Sequence, residues 1–413
     1  MPYNIAGIDI HKKVIMVVVA DVSVGVEEFE FESHRFGTSA GDRQRLAAWL
    51  EEHGVQEAVM ESTAQYWKPV WLDLERHVPQ LHLAQAHSNR APKGRKHDFA
   101  DAKRSVKRLA AGELILSLVP DAEQRGWRTM TRGKLQLVCD RVRLQNQMEA
   151  LLEEMRIKLS SVISDLLSLS GRRILRALAD GESDPAKLAE LGDFRLKCSK
   201  AELADALNGH AEPMHRQILK LFLKRLELLD EQIQQLDKMI AEAMGKYEQA
   251  VIRLAAAPGF GPDSAQQVIA EVGPEAKSFS TPAQLASWAG VCPGSQQSAE
   301  RNHSSRSPKG NRFLRRILNQ AAQAAVKKKG SHFQMAFRRW MPKLGYNGAI
   351  WAIAHKLCRV VWKILHDSVP YLERGQESDP RTKKRRAQKM IQTLRKMGYK
   401  VELSLLTPEP AQG

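Results

Sequence analysis

Four acidic residues in the first quarter of the chain carry the most chemistry. Asp9 closes the apolar run YNIAGID, Glu61 closes EAVME, and Asp98 and Asp101 open a helical pattern in KHDFADAK. Each alone reads as a strand-end turn or as a helix cap, because acids complement the positive end of a helix. As a set they differ. Carboxylates gathered at neighbouring strand ends repel and raise one another's pKa unless a divalent cation neutralises them. Asp98 and Asp101 are three residues apart on a predicted helix, which puts their Cβ atoms about 5 to 6 Å apart on one face. Magnesium suits such hard oxygen donors, with manganese as its substitute. Two metals bridged by carboxylates stabilise the attacking and leaving oxygens of an in-line displacement at phosphorus.

The elements that must position these acids follow from periodicity. Residues 1–115 alternate between strand and helix patterns: strands in YNIAGID, VIMVVVA and VEEFEFES, a helix from Asp42 to Glu52, strand EAVMES, helix YWKPVWLDLERH, strand LHLAQA, and a helix from Asp98 to about Leu109. A three-strand meander followed by βαβ crossovers describes an RNase H-like (RuvC-like) sheet covered by helices. In that topology the strands ending in Asp9 and Glu61 are neighbours, and both carboxylates reach one edge.

Beyond Trp127 the pattern turns to long helices. Leu144, Met148, Leu151, Met155 and Leu159 form one stripe, and Leu219, Phe222, Leu226, Leu229, Ile233, Leu236, Ile240, Ala243 and Tyr247 step alternately by three and four, as a coiled-coil seam does. The expected arrangement is a helix pair packed on itself, with association between copies as an addition. Short helices fill residues 162–213. The chain is therefore read as α/β plus all-α: a RuvC-like domain (1–115), a helical coiled-coil middle (116–250), an α-helical third domain (251–370) and a basic tail (371–413).

The third domain opens with APGFGPDSAQQVIAEVG, the pattern of a helix-hairpin-helix element. Gly259 and Gly261 would permit a tight turn that presents backbone N–H groups and a helix N-terminus to a DNA phosphate, although an ordinary turn between two helices fits the same residues. Downstream, Arg301, His303, Arg306, Lys309, Arg312, Arg315 and Arg316 crowd around several serines. Phosphate would bind there beside a hydroxyl nucleophile. The residues alone do not choose among Ser295, Ser298, Ser304, Ser305 and Ser307.

Composition narrows the partners. The 413 residues hold 63 Lys+Arg against 47 Asp+Glu, a net charge of +16. That excess suits a polyanion, since each phosphate contact releases condensed counterions. The four cysteines are scattered without ligand spacing, which points away from zinc or a disulfide framework. The longest apolar run, Val14 to Ala20, is too short to cross a bilayer. A soluble, cytoplasmic protein with no membrane partner is expected.

At these motifs the chain resembles transposases of the insertion sequence one-ten family, the DEDD or Piv-type bridge recombinases. GIDIHKK, MESTAQYW and KHDFADAK resemble the family's RuvC-like domain, and the stretch from PGFGPDSAQQVIAEVG to GVCPGSQQSAERNHSSRSPKGNRFLRRILNQAA resembles its transposase domain. GRRILRALADGESDPAKLAEL matches the longer subgroup, with extra helices between the two. The resemblance implies an acidic tetrad at Asp9, Glu61, Asp98 and Asp101 and a serine nucleophile at Ser298. The residues after that serine read Ala299-Glu300 where the family has SG or SAG, and His97 stands where Thr is common. It further implies a covalent phosphoserine intermediate, donor and target DNA as substrates, a noncoding bridge RNA as guide, and a dimer or tetramer whose sites combine the acids of one subunit with the serine of another. Two other functions fit the residues: a junction-resolving endonuclease in which metal-activated water attacks, and a noncatalytic nucleic-acid-binding protein whose acids only cap helices.

Overall fold

The computed structural model describes residues 2–23, 29–61, 64–86, 99–294, 296–298, 301–304 and 307–373, with positions 388, 391, 392 and 395 of the tail. The chain divides into two units, Met1–Asp121 and Ala122–Gly413.

The first unit is a five-stranded sheet in the order β3-β2-β1-β4-β5. Its strands are β1 (Asn4–Ile10), β2 (Ile15–Asp21), β3 (Glu32–Phe36), β4 (Val55–Glu61) and β5 (Gln80–Ala84). The first three form an antiparallel meander; β4 and β5 join parallel to β1 through crossovers. Alternate side chains serve the two faces. Ile8, Ile10, Val17 and Met60 pack beneath α1 (Ala40–Glu52) and α2 (Trp67–Leu74), which contribute Leu46, Leu50, Trp71 and Leu74. On the other face, Ile5, Val18 and Ala20 meet Ala102 and Val106 of α3 (Ala100–Ala110).

One strand differs from expectation, and one helix start bears on the acids. The third described strand is ESHRF; of the expected VEEFEFES, residues 26–28 lie outside the described residues and 29–31 are not strand. Pairing of Ile15 with Phe36 sets the register, and Phe36 completes the α1-side core. Phe31, upstream, instead lies under the ammonium groups of Lys103 and Lys107 from α3. Second, α3 begins at Ala100, preceded by Phe99 in the left-handed conformation (φ 69°). Asp98, the residue before Phe99, lies outside the described residues, so the expected Asp98–Asp101 spacing is seen only from Asp101.

Among its described residues the second unit is helical apart from one small strand pair. Its longest helices, α4 (Ala122–Glu154) and α9 (Pro213–Ala243), run antiparallel side by side. Lys134 pairs with Asp237, Arg141 with Asp230 at 2.9 Å, and His215 lies 3.9 Å from Glu154, a ladder in which residue numbers rise on one helix as they fall on the other. Leu144, Met148 and Leu151 bury against Leu219, Leu226 and Leu229 at one end. There α5 (Leu159–Val162), α6 (Leu169–Asp180), α7 (Pro185–Glu190) and α8 (Lys200–Ala206) close the hairpin. Leu159 belongs to α5 and not to the long stripe, because α4 ends at Glu154 and Arg156 takes a positive φ.

The remainder comprises α10 (Glu248–Ala255), α11 (Pro262–Val272), α12 (Pro282–Ala289), the strands β6 (Gln296–Ser298) and β7 (Arg301–Ser304), α13 (Arg312–Ala325) and α14 (His332–His366). The last is two helices broken at Gly345, where φ is 68°. Among the described residues no helix is long and apolar enough to cross a membrane.

Candidate active site

In the first unit, parallel pairing aligns Ile8 of β1 with Met60 of β4, so the next residues, Asp9 and Glu61, stand level at the C-terminal ends of adjacent strands. Neighbouring strands lie about 4.8 Å apart, which brings the two backbones within reach of one cation. Alternation places Asp9 with Gly7, and Glu61 with Val59, on the face that α3 covers. The ends of strands in a sheet of this kind open into its ligand crevice.

Gly7 decides how close α3 comes. A Cβ built on it would lie 2.2 Å from the carbonyl oxygen of Ala102 and 2.9 Å from Cγ2 of Val106. Only a residue without a side chain lets the helix backbone rest on β1, and Asp101 occupies the turn immediately before that contact. Sequence reasoning passed over Gly7, although a glycine two residues before a candidate ligand in a β-branched strand marks close backbone approach.

Asp9 and Asp101 already have partners. Asp9 Oδ2 is 3.1 Å from Nε2 of His11 in the turn that follows β1, and Asp101 accepts a 2.7 Å bond from Arg104 one helical turn on. Asp98 lies outside the described residues. Among the described residues no three carboxylate, imidazole or thiol groups converge as a metal site. Asp9 and Glu61 offer the hard oxygen donors that magnesium takes, and Asp101 lies on the same face of the sheet.

In the second unit, β6 and β7 form an antiparallel pair in which Ser298 stands opposite Arg301, Gln297 opposite Asn302 and Gln296 opposite Ser304. The serine thus ends its strand, and its partner in backbone register is one of the predicted phosphate ligands. Ser307 follows the pair, while Ser295, Ser305 and Arg306 lie outside the described residues. The hairpin is not legible in the sequence, because QQS and RNHS lack apolar alternation.

The other predicted phosphate ligands separate into two groups. Lys309 and Arg312 are exposed. Arg315 and Arg316 are half-buried and engage the protein: Arg315 donates to the carbonyls of Gly290 and Pro308, and Arg316 to Gln267 at 2.5 Å and Gln320 at 2.9 Å. Burial holds the Arg316 guanidinium below its ordinary pKa. Gly259 (φ 89°) is also used internally, since an added Cβ would sit 2.0 Å from the Ala321 carbonyl oxygen on α13. Gly261 donates its N–H to Ser264 Oγ at 2.8 Å. A cavity of ≈ 400 Å³ beside this turn is lined by Lys134, Asp263, Gln267 and Arg316.

One buried acid escapes a reading of the sequence. Glu271 on α11 has a side chain only 2% exposed, and both its oxygens receive Arg132 of α4 at 2.8 Å. Asn311, the N-cap of α13, donates to its Oε2 at 2.7 Å. An acid in an apolar helix opposite no sequence-adjacent cation is the available signal.

Comparison with known proteins bears on both units. The DEDD transposase model of IS110 elements matches residues 6–157, and the model described as the transposase IS116/IS110/IS902 family matches residues 252–338. A probable family 20 transposase of Pseudomonas aeruginosa is 26% identical over 287 residues, spanning 68% of this chain and 75% of its own. An uncharacterised 44.8 kDa protein of insertion element IS116 from Streptomyces clavuligerus is 27% identical over 258 residues, 58% of this chain and 63% of its own.

Proposed function

We propose, from the premise that the chain is a transposase of the IS110/IS116 family, that it cuts and rejoins DNA by a phosphoserine route, using Ser298 as nucleophile and the acids of an RNase H-like first unit for metal-assisted charge stabilisation. One observation carries the reading. A single chain joins strand ends that align Asp9 with Glu61 to a hairpin that sets Ser298 opposite Arg301, each within a stretch matched by a transposase model.

The chemistry is a displacement at phosphorus. The Ser298 oxygen forms a bond to the scissile phosphorus as the bond to one DNA oxygen breaks; that oxygen leaves with a proton as a free hydroxyl, and the strand remains esterified to the serine. Attack by the hydroxyl of another strand reverses the step and rejoins DNA. Asp9, Glu61, Asp98 and Asp101 would hold magnesium, which when bound offsets charge on the phosphoryl oxygens. Arg301, Arg306, Lys309 and Arg312 serve the same charge from the protein side, where preorganised donors contribute most. The noncoding bridge RNA and the tetramer rest on the family resemblance, and the basic composition accommodates them.

The test separates the two halves of the machinery. Asp9→Ala is expected to abolish metal-dependent cleavage, and Ser298→Ala to abolish covalent attachment of DNA on a denaturing gel. A protein–DNA adduct that persists in Ser298→Ala would sink the nucleophile assignment. Hydrolysed ends with no adduct in the unaltered protein would instead favour the junction-resolving nuclease.

A further inference from the structure

The segment that carries Ser298 leaves α12 at Gly290 and enters α13 at Asn311, and its two ends are tied to each other by three separate contacts. Gly290 and Gly310 lie backbone on backbone: a Cβ on Gly290 would meet Gly310 N at 2.7 Å, and one on Gly310 would meet Gly290 N at 2.4 Å. The Asn311 N–H donates to the Trp288 carbonyl at 3.1 Å. Nη1 of Arg315 donates both to the Gly290 carbonyl, before the segment, and to the Pro308 carbonyl at 3.2 Å, after it, while its guanidinium lies 4.3 Å from the centre of the Trp351 ring.

The closed base is then fixed to the long helix. Asn311 uses both ends of its side chain: Oδ1 accepts from the Phe313 and Leu314 amides at 3.0 and 3.1 Å, and Nδ2 donates to Glu271. Glu271 is itself oriented by the two-pronged Arg132, whose guanidinium sits 4.2 Å over the Phe313 ring, and by Arg128 at 3.5 Å. A buried ion pair adds little net stability over an apolar pair of the same volume. What it supplies is direction, because paired N–H···O bonds fix the carboxylate plane.

We infer that Glu271, Asn311 and Arg315 are positioning residues that set where the Ser298 hairpin stands, through the Arg132–Glu271–Asn311 chain and the Arg315 bridge across the segment's two ends. The inference rests on the reading of Ser298 as the nucleophile, and it moves Arg315 from the phosphate ligands to the support of the site. Displacement of a reacting group by about 1 Å costs on the order of 100-fold in rate, so a loosened base is expected to be felt at the serine.

The full-length protein carries the test in three variants. Asn311→Ser keeps a helix-capping hydroxyl but cannot reach Glu271; Arg315→Lys keeps the charge but not the planar guanidinium held against the Trp351 ring; Glu271→Gln removes the charge that Arg132 pairs with. Adduct formation at saturating DNA is expected to fall roughly 10- to 100-fold in each, with DNA affinity and its salt dependence unchanged. Amide exchange across residues 296–304 of the free protein is expected to quicken. If Glu271→Gln fails to fold, the other two variants decide. Undiminished adduct formation and unchanged exchange in Asn311→Ser and Arg315→Lys would overturn the inference. Weaker DNA binding in Arg315→Lys, joined by a shallower salt slope in a further variant, Arg315→Gln, would return that residue to phosphate contact. Absence of any Ser298 adduct in the unaltered protein would count against the nucleophile, while quickened exchange in the variants would still uphold the clamp.

Discussion

At the scale of single residues, glycine placement governs the first unit more than the acids do. Gly7→Ala is expected to push α3 off β1, since the new methyl would overlap the Ala102 carbonyl. Overpacking of this kind costs about 1 to 3 kcal/mol, which urea unfolding of the variant can measure. Metal-dependent cleavage is expected to fall further than stability, because Asp101 rides on the displaced helix. A variant with unchanged urea midpoint and full cleavage would show that α3 tolerates the shift. Asp9 and Glu61 are legible as candidates because acids at the ends of apolar runs stand out. Gly7, Glu271 and Asn311 are not, since their roles depend on contacts with residues tens to more than a hundred positions away. Arg315 and Arg316 show the converse, because cations that read as a solvated basic patch turn inward once α13 packs.

Among elements, the antiparallel pair α4/α9 is visible from its heptad seam, yet the seam changes character along its length. Its closed end is apolar, around Leu144 and Leu226. Its other end carries Lys134, 9% exposed at the side chain, between Asp237 and Asp263. Burial alone would lower the Lys134 pKa, but its hydrogen bonds to the two aspartates outweigh that and raise it. The aspartates are about half exposed, so solvent screens the pair and the net contribution is expected near 1 kcal/mol. Leu144→Ala, by contrast, removes a fully buried side chain and is expected to cost about 2 to 5 kcal/mol. Thermal unfolding of Lys134→Met and Leu144→Ala should rank them in that order. A larger destabilisation in Lys134→Met would mean that the ion pair, and not the apolar end, secures α11 to the hairpin. The shifted β3 has a tertiary cause: its position is set by what lies opposite, Ile15 against Phe36, and not by alternation within the strand itself.

For the molecule as a whole, the excess of positive charge is unevenly held. Residues 1–121 contain 15 Lys+Arg against 17 Asp+Glu, and residues 122–413 contain 48 against 30. Within the second unit the helical hairpin and its inserted helices are balanced, with 21 against 20 in residues 122–248. The imbalance lies later: residues 301–366 hold 15 Lys+Arg and no acid, and residues 374–413 hold 10 against 4. Several of the cations in the acid-free stretch, Lys327, Lys328, Lys329, Arg338, Arg339 and Lys343, are exposed on and between α13 and α14. If nucleic acid runs across this part of the second unit, each phosphate that is no longer neutralised should lower the slope of log affinity against log salt by about 0.9 for duplex DNA. Replacing Lys327, Lys328 and Lys329 together by Gln is therefore expected to weaken binding at low salt and flatten that slope by up to about 2.7. The same charge removed from the balanced insertion, at the exposed Lys187, Arg195 and Lys197, is expected to leave the slope unchanged. Binding titrations at a series of salt concentrations distinguish the two triple variants. Equal flattening in both would mean that net charge alone draws the partner, and that the acid-free stretch is no more a contact surface than the rest of the chain.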